Sequence, residues 1–504
     1  MNKNRNAGIL LPVFSLPSKY GIGTFGSEAY NFVDFLKKAR VGLWQILPLN
    51  VTSYGDSPYQ SPSSYALNYY FIDLDILNEQ GLLKKKEYQK VDLKDTDDRV
   101  NYAKQYNNRI DILRLAFSRF DVLISKFQKF IKTDLGASDF AFFMVLKQIN
   151  NGAPWYQRND EYRNYSIELE AKIIHDYTND YLFYLWTQFE AQNEYFKLRK
   201  YANKKGIKIM GDMPIYVAYD SVEAYKYPQL FQFNDNREPC AVAGCPPDCF
   251  SIDGQLWGNP LRNWDYLKET NFKWYRDRIF SSLKLFDLLR IDHFRGFSGY
   301  YSIPYGDKTA RNGHWVKGPG AALFDGLHDL PIVAEDLGLM DNDFYKMFDE
   351  CGFPGMKIVT QCFDDDNKDN CWRPSNYTHN FFSYTATHDS QTTMQFIIER
   401  DQKQRKLLIK VLNEELLKVK LPLLNKTDNK SILDGIIDIN FQNNADVAVV
   451  PLQDLLYIGK EGRMNFPSTL STNNWSYRVN KSRFLRCEKT LIERLKKIIK
   501  ISNR

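Results

Sequence analysis

Short apolar runs recur along the chain, and stretches of helical spacing separate them. Ile9-Leu10-Leu11-Pro12-Val13 is the first run. A glycine-rich turn, Tyr20–Gly26, follows it. Phe32, Phe35, Leu36 and Ala39 then fall at i, i+3, i+4 and i+7, one face of an amphipathic helix that Ser27 would cap and Gly42 would end. Trp44–Leu49 is the second apolar run, so the N-terminal stretch predicts a strand–helix–strand unit of a parallel sheet. Strands three to eight are predicted at Ile207–Pro214, Leu288–His293, Ile332–Gly338, Gly355–Val359, Tyr384–Asp389 and Val447–Leu456. Helices are predicted from Phe344, Met347, Phe348 and Cys351, closed by Gly352, over about 391–420, and at the C-terminal end.

Long segments interrupt this alternation. Residues 50–76 are polar and aromatic with no period and predict a loop; loops of that length in a compact domain usually serve function. Residues 80–205 combine charge, Asn and aromatics at helical spacing and predict a helical insertion subdomain between strands two and three. Residues 235–266, and the stretch with Tyr300, Tyr301, His314 and Trp315, predict further loops. The expected architecture is α/β, a (β/α)8 TIM barrel forming one domain over 1–504, with long loops over its C-terminal face. A doubly wound open sheet fits the same strand count.

The polar residues inside this pattern favour the barrel. Asp212, Asp292, Glu335 and Asp389 all fall at C-terminal ends of predicted strands, which a barrel brings to one face. Leu288–Gly296 is the densest case: an apolar start, then Arg290, Asp292, His293, Arg295 and Gly296. Arg290 and Asp292 share a strand face, and the guanidinium holds the acid ionised, as a carboxylate nucleophile requires. Each acid also has a plain structural role open to it, as a turn cap, a salt bridge or a helix N-terminus. All four at equivalent strand ends are harder to explain that way.

Composition narrows the partners. Lys plus Arg is 67 and Asp plus Glu is 61, so the net charge is only +6, and no basic stripe carries base-stacking motifs. Nucleic acid is not an expected partner. No apolar run is long enough to span a bilayer, and no leader peptide fits before Gly8. Seven scattered cysteines suit reduced thiols in the cytoplasm, and Cys240, Cys245 and Cys249 match no zinc spacing. No metal-ligand pattern or cofactor motif is present, so neither is expected. The 34 Phe, 32 Tyr and 9 Trp suffice for a large core and also for a ring-lined cleft.

Acids around an aromatic, uncharged cleft suit retaining glycosyl transfer. That chemistry needs two carboxyl groups about 5–5.5 Å apart, one a nucleophile and one an acid/base. Specific stretches carry the resemblance further: Tyr54–Ser61 (YGDSPYQS), Gly211–Val217 (GDMPIYV), Pro246–Asp248 with Phe250-Ser251, Gly254–Leu261 (GQLWGNPL), Arg290–Gly296 (RIDHFRG), Ala334–Gly338 (AEDLG), Thr387–Asp389 (THD) and Arg463–Asn465 (RMN). Together and in this order they resemble glycoside hydrolase family 77, the amylomaltases or 4-α-glucanotransferases, from about Gly8 to about Arg478.

The resemblance implies roles. Asp292 would be the nucleophile, Glu335 the acid/base, and Asp389 the transition-state stabiliser. Arg290 would orient Asp292, and His388 would bind the sugar beside the cleavage point. Tyr59, Asp212, His293 and Asn465 resemble donor-side contacts; Tyr54, Phe250, Gln255 and Trp257 resemble loop residues that hold glucan and shape acceptor use. The implied partners are α-1,4-glucans and maltooligosaccharides, and the implied state is a monomer or weak homo-oligomer. A hydrolase using the same acids, or a glucan-binding protein without catalysis, are the alternatives. The chain departs from the family at Ser390-Gln391-Thr392, where Asn-Asp-Thr is usual, and at Pro62, Leu67 and Tyr69. It also departs at Pro467-Ser468-Thr469, where a Pro-Gly-Thr turn is usual. These positions bear on subsite affinity, product size and acceptor preference.

Overall fold

The computed structural model describes residues 5–247, 251–338 and 340–504, apart from the side chain of Tyr54. Phe250 and the Tyr54 side chain, both expected at the site, lie outside the described residues. Eight parallel strands are laid side by side: β1 Asn6–Leu10, β2 Leu43–Gln45, β3 Lys208–Met213, β4 Leu288–Ile291, β5 Ile332–Ala334, β6 Gly355–Ile358, β7 Phe381–Tyr384 and β8 Val447–Pro451. Their spatial order is β6-β7-β8-β1-β2-β3-β4-β5, which is the chain order run round a circle. The Ala334 N–H donates to Pro354 O at 2.9 Å and ties β5 to the residue before β6, which closes the barrel. The open-sheet alternative is thereby excluded.

The strands end earlier than the apolar runs that predicted them, and some also begin earlier: β1 starts three residues before Ile9, and β7 shares only Tyr384 with the expected Tyr384–Asp389. β2 ends at Gln45, β7 at Tyr384 and β8 at Pro451, beyond which Leu452–Leu455 is a helical turn. The interior is tightly filled: a Cβ on Gly8 would meet Val449 Cγ2 at 3.1 Å and Leu43 Cδ2 at 3.2 Å from the flanking strands. The first helix, Ser27–Lys38, is capped by Gly26 and not by the Ser27 side chain. The Asp73 carboxylate stands within 2.0 Å of where a Cβ at residue 26 would be, so only glycine fits that cap. The chain reverses at Arg40, with φ 63°, before it reaches Gly42.

Between β2 and β3 the chain is mainly helical, from Leu74–Glu79 to the 27-residue helix Thr178–Lys204. That helix is buried on most sides, and the Phe140–Leu146 run lies inside its neighbour Leu135–Ile149. Among the described residues no helix is long and apolar enough to cross a membrane.

One expectation is corrected. The stretches 235–266 and 299–317 are not merely loops: Ala241–Cys245, Gln255–Pro260, Gly299–Pro304 and His314–Lys317 form a four-stranded antiparallel sheet. It has a small core of its own from Val242, Tyr301, Ile303 and Ala310. The strands are short, rich in Gly and Pro, and one face is wet, so their pairing leaves no local apolar signature. Ala241–Cys245 pairs with Gly299–Pro304, far away in sequence.

Candidate active site

Arg290 and Asp212 face each other across β4 and β3. A single guanidinium nitrogen, Arg290 Nη1, lies 2.8 and 2.7 Å from the two Asp212 oxygens and 2.9 Å from Asp292 Oδ1. The Asp212 side chain is wholly buried, while that of Asp292, just past the end of β4, keeps 24% of its surface open. One cation thus bridges a structural carboxylate and an accessible one. Burial raises the Asp212 pKa and Arg290 opposes it, while the Asp292 charge raises it further. Burial alone would lower the Arg290 pKa; the two aspartates outweigh it and hold that pKa above its ordinary value.

Glu335 follows β5 directly. Its backbone is stitched to β4 on both sides: Glu335 N–H donates to Ile291 O at 3.1 Å, and Phe294 N–H donates to Glu335 O at 3.1 Å. Its carboxyl accepts from the His293 N–H at 2.8 Å and from the Leu337 N–H at 2.7 Å. His293 turns its N–H inward by adopting φ 50°, a left-handed conformation that costs energy outside glycine. Burial pushes the Glu335 pKa up to about 8; Arg290 opposes the rise and Asp292 adds to it. Burial also pushes the His293 pKa down to about 4, so its ring is neutral at pH 7. Trp257 meets that ring edge-on, centroids 5.0 Å apart.

Asp389 lies beyond β7, in the loop to helix Thr393–Ile398. Its carboxylate contacts His388 Nε2 at 3.0 Å and accepts from Asn465 Nδ2 at 2.7 Å. Burial would raise its pKa, but the His388 charge, the His388 hydrogen bond and Asn465 hold it well below the usual carboxylate range. Burial likewise opposes the His388 charge, and Asp389 overcomes it and raises the His388 pKa. Tyr59 closes the ring of contacts: its hydroxyl donates to Asp212 Oδ2 at 2.8 Å and lies 2.8 Å from His388 Nε2, with the two rings stacked.

The structure therefore joins Asp212, Arg290, Asp292, His293, Glu335, His388, Asp389, Asn465 and Tyr59 into one connected network at the C-terminal mouth of the barrel. Gln255 and Trp257 sit on the antiparallel sheet, where Trp257 Nε1 donates to Gln255 Oε1 at 3.1 Å. Sequence reasoning overlooked Gln60, which donates to Trp257 O at 3.2 Å and Asn259 Oδ1 at 3.0 Å and anchors this strand. It lies within the YGDSPYQS stretch, so the signal was there. Trp475 was also overlooked; its ring lies 5.4 Å from that of Tyr59 and 6.1 Å from that of His388. No motif announces it.

A protonated, buried Glu335 and an ion-paired Asp292, at the mouth of a (β/α)8 barrel beside aromatic rings, mark the sugar-processing barrel enzymes. Residues 11–483 match the family model described as 4-alpha-glucanotransferase, glycoside hydrolase family 77. The 4-alpha-glucanotransferase of Clostridium butyricum is 42% identical over 479 residues, 94% of this chain and 96% of the relative. That of Thermus thermophilus is 36% identical over 491 residues, covering 95% of each chain. The solved amylomaltase of Streptococcus agalactiae, in complex with acarbose, superposes with a TM-score of 0.93 at 37% identity, covering 99% of both chains. The chain belongs to the 4-alpha-glucanotransferases of glycoside hydrolase family 77.

Proposed function

We propose that the protein moves α-1,4-glucan segments from a donor to an acceptor glucan or glucose by retaining double displacement. Asp292 attacks the anomeric carbon and forms a covalent glucosyl-enzyme, while Glu335 protonates the departing glycosidic oxygen. The observation that carries this reading is geometric: Arg290 Nη1 lies 2.9 Å from Asp292 Oδ1, and the Glu335 carboxyl is bonded to the N–H of His293, the next residue after Asp292. The Asp292 charge contributes to the high Glu335 pKa. Once Asp292 is esterified that charge is gone, the Glu335 pKa falls, and the same carboxylate can take the proton of the incoming acceptor hydroxyl. The N–H groups of His293 and Leu337 are already aimed at the carboxylate that results.

Asp389, kept ionised by His388 and Asn465, stabilises the oxocarbenium-like transition state through sugar hydroxyls. His388, Tyr59, Asp212, His293 and Asn465 form the donor side, with Arg290 orienting Asp292. Gln255 and Trp257 line the acceptor approach and keep water from the intermediate. The side chains of this chain supply every step, and no metal or cofactor is invoked. The helices between β2 and β3 share the buried core with the barrel, which supports one catalytic domain over 1–504 with 80–205 as its insertion. A network complete within one chain supports a monomer or weak homo-oligomer. The odd, scattered set of seven cysteines supports a cytoplasmic setting.

The test is a time course on maltotriose with the purified protein, separating products by length and counting reducing ends. A ladder of longer chains plus glucose at constant reducing ends is expected. Rising reducing ends without longer chains would make it a hydrolase; no change in either would leave a binding protein.

A further inference from the structure

The loop that carries His388 and Asp389 leaves β7 at Tyr384 and enters the next helix at Thr393. Both of its ends are bonded to one side chain. The Thr385 hydroxyl donates to Asp454 Oδ2 at 2.7 Å. The Thr393 hydroxyl donates to the same oxygen at 2.6 Å, and the Thr393 N–H donates to Asp454 Oδ1 at 2.8 Å. Asp454, Thr385 and Thr393 are all fully buried. Inside the loop, the Ser390 hydroxyl accepts from the Thr387 N–H at 3.0 Å and closes the turn that presents His388 and Asp389.

The neighbour of Asp454 holds the opposite arm. Gln453 Nε2 donates to Gly462 O at 3.2 Å. Gly462 begins the short segment to Asn465, whose amide grips Asp389 Oδ1 at 2.7 Å. Gln453 and Asp454 are consecutive on the helical turn Leu452–Leu455, so their side chains leave it about 100° apart. One side chain reaches each arm of the clamp around Asp389.

A carboxylate buried among hydroxyls and one N–H is a costly way to close a loop. Apolar groups of the same shape would spare the desolvation, so stability alone does not account for it. We propose that Asp454 and Gln453 are positioning residues for Asp389: from the end of β8 they fix, from both sides, the carboxylate that faces the reacting sugar. This rests on the glucanotransferase reading, in which Asp389 stabilises the transition state. A rigid element holding two loops to one target achieves what a reacting geometry demands, where a displacement of about 1 Å costs on the order of 100-fold in rate.

The experiment is a double-mutant cycle of Asp454→Ala with Asp389→Asn, read as kcat on maltotriose and as the dissociation constant of acarbose. The second readout stays measurable where turnover is lost. Asp454→Ala is expected to lower kcat about 100-fold with KM changed less than about threefold, and to weaken acarbose about tenfold. In the Asp389→Asn background the further loss of acarbose affinity is expected to be under about twofold, since the group being positioned is already altered. Equal losses in both backgrounds, or a folded Asp454→Ala with wild-type kcat, would overturn the proposal. Thr385→Val and Thr393→Val keep the shape and remove one donor each; they carry the same cycle if Asp454→Ala does not fold. A wild type that leaves maltotriose unchanged would overturn the function itself, while the acarbose cycle would still decide the positioning role.

Discussion

The backbone N–H of His293 donates to Glu335 Oε2 at 2.8 Å, so the residue next to Asp292 in the chain is bonded to Glu335 in space. The left-handed φ of 50° at His293 makes that bond possible. The turn that follows Asp292 is therefore bonded directly to the Glu335 carboxyl. The same turn buries the His293 ring, which is left neutral beside two acids.

Glu335 can supply a proton only while it holds one. With its pKa raised to about 8, kcat/KM on maltotriose is expected to fall above that pH. A maltosyl fluoride donor needs no protonation of its leaving group, so formation of the covalent intermediate from it should show no such fall. Stability is linked to the same proton. The folded pKa of about 8 lies above the ordinary 4.5, so between those values the native state keeps a proton that the unfolded chain has released. Stability falls as pH rises through that window. Urea titrations at pH 5 and pH 8 should show the fall in the wild type and a smaller one in Glu335→Gln. An equal fall in both would mean that Glu335 is ionised throughout.

Arg290 stands between Asp212 and Asp292: its Nη1 donates to both Asp212 oxygens and makes the ion-pair contact with Asp292 Oδ1. Arg290→Met would strand the buried Asp212 carboxylate, with an expected loss of about 3–5 kcal/mol in unfolding free energy. Arg290→Lys is expected to recover more than half of that, because an ammonium can replace a single nitrogen. Turnover should stay low in Arg290→Met, where Asp292 loses the cation that orients it. Denaturant unfolding of the two variants decides it; a lysine no better than methionine would mean that the guanidinium plane matters and not the one nitrogen.

Trp257 presses its ring edge-on against His293 and is tied by its backbone carbonyl to Gln60. Trp257→Ala opens that wall of the cleft to water. The expected result on maltotriose is a higher share of hydrolysis, seen as reducing ends that rise while the ladder of longer products shortens. Reducing ends as constant as in the wild type would show that water is kept out elsewhere.

The barrel was legible because its strands are buried on both faces and read as continuous apolar runs, from Ile9 through Val450. The four acids were legible because a charge at the end of such a run stands out, as Asp212 and Glu335 do. Strand ends were overestimated wherever buried loop residues continue the run: Ile46–Leu49 and Thr385–Ala386 are buried but lie outside the ladders. The antiparallel sheet was illegible because Ala241–Cys245 owes its strand state to Gly299–Pro304 and Gln255–Pro260, and not to its own sequence. Trp475 was illegible for a similar reason: only the fold brings it to Tyr59 and His388. Asp454 was hidden as well, since its partners Thr385 and Thr393 lie just past the end of β7 and at the start of the helix that follows it.

Ser468 adopts a left-handed backbone conformation, with φ 63°. The turn closes with the Thr469 N–H donating to Phe466 O at 3.2 Å, in an exposed stretch just after Asn465. A left-handed conformation costs an L-residue about 1–2 kcal/mol, and glycine escapes that cost at the expense of about 0.5–1 kcal/mol of extra freedom in the unfolded chain. The difference favours glycine, so Ser468→Gly is expected to stabilise the protein by about 0.5–1 kcal/mol. Ser468→Ala keeps the Cβ and should leave the midpoint where it is. Thermal melts of the three proteins side by side measure it. A Ser468→Gly midpoint at or below the wild type would mean that the serine hydroxyl, and not the backbone, governs this turn.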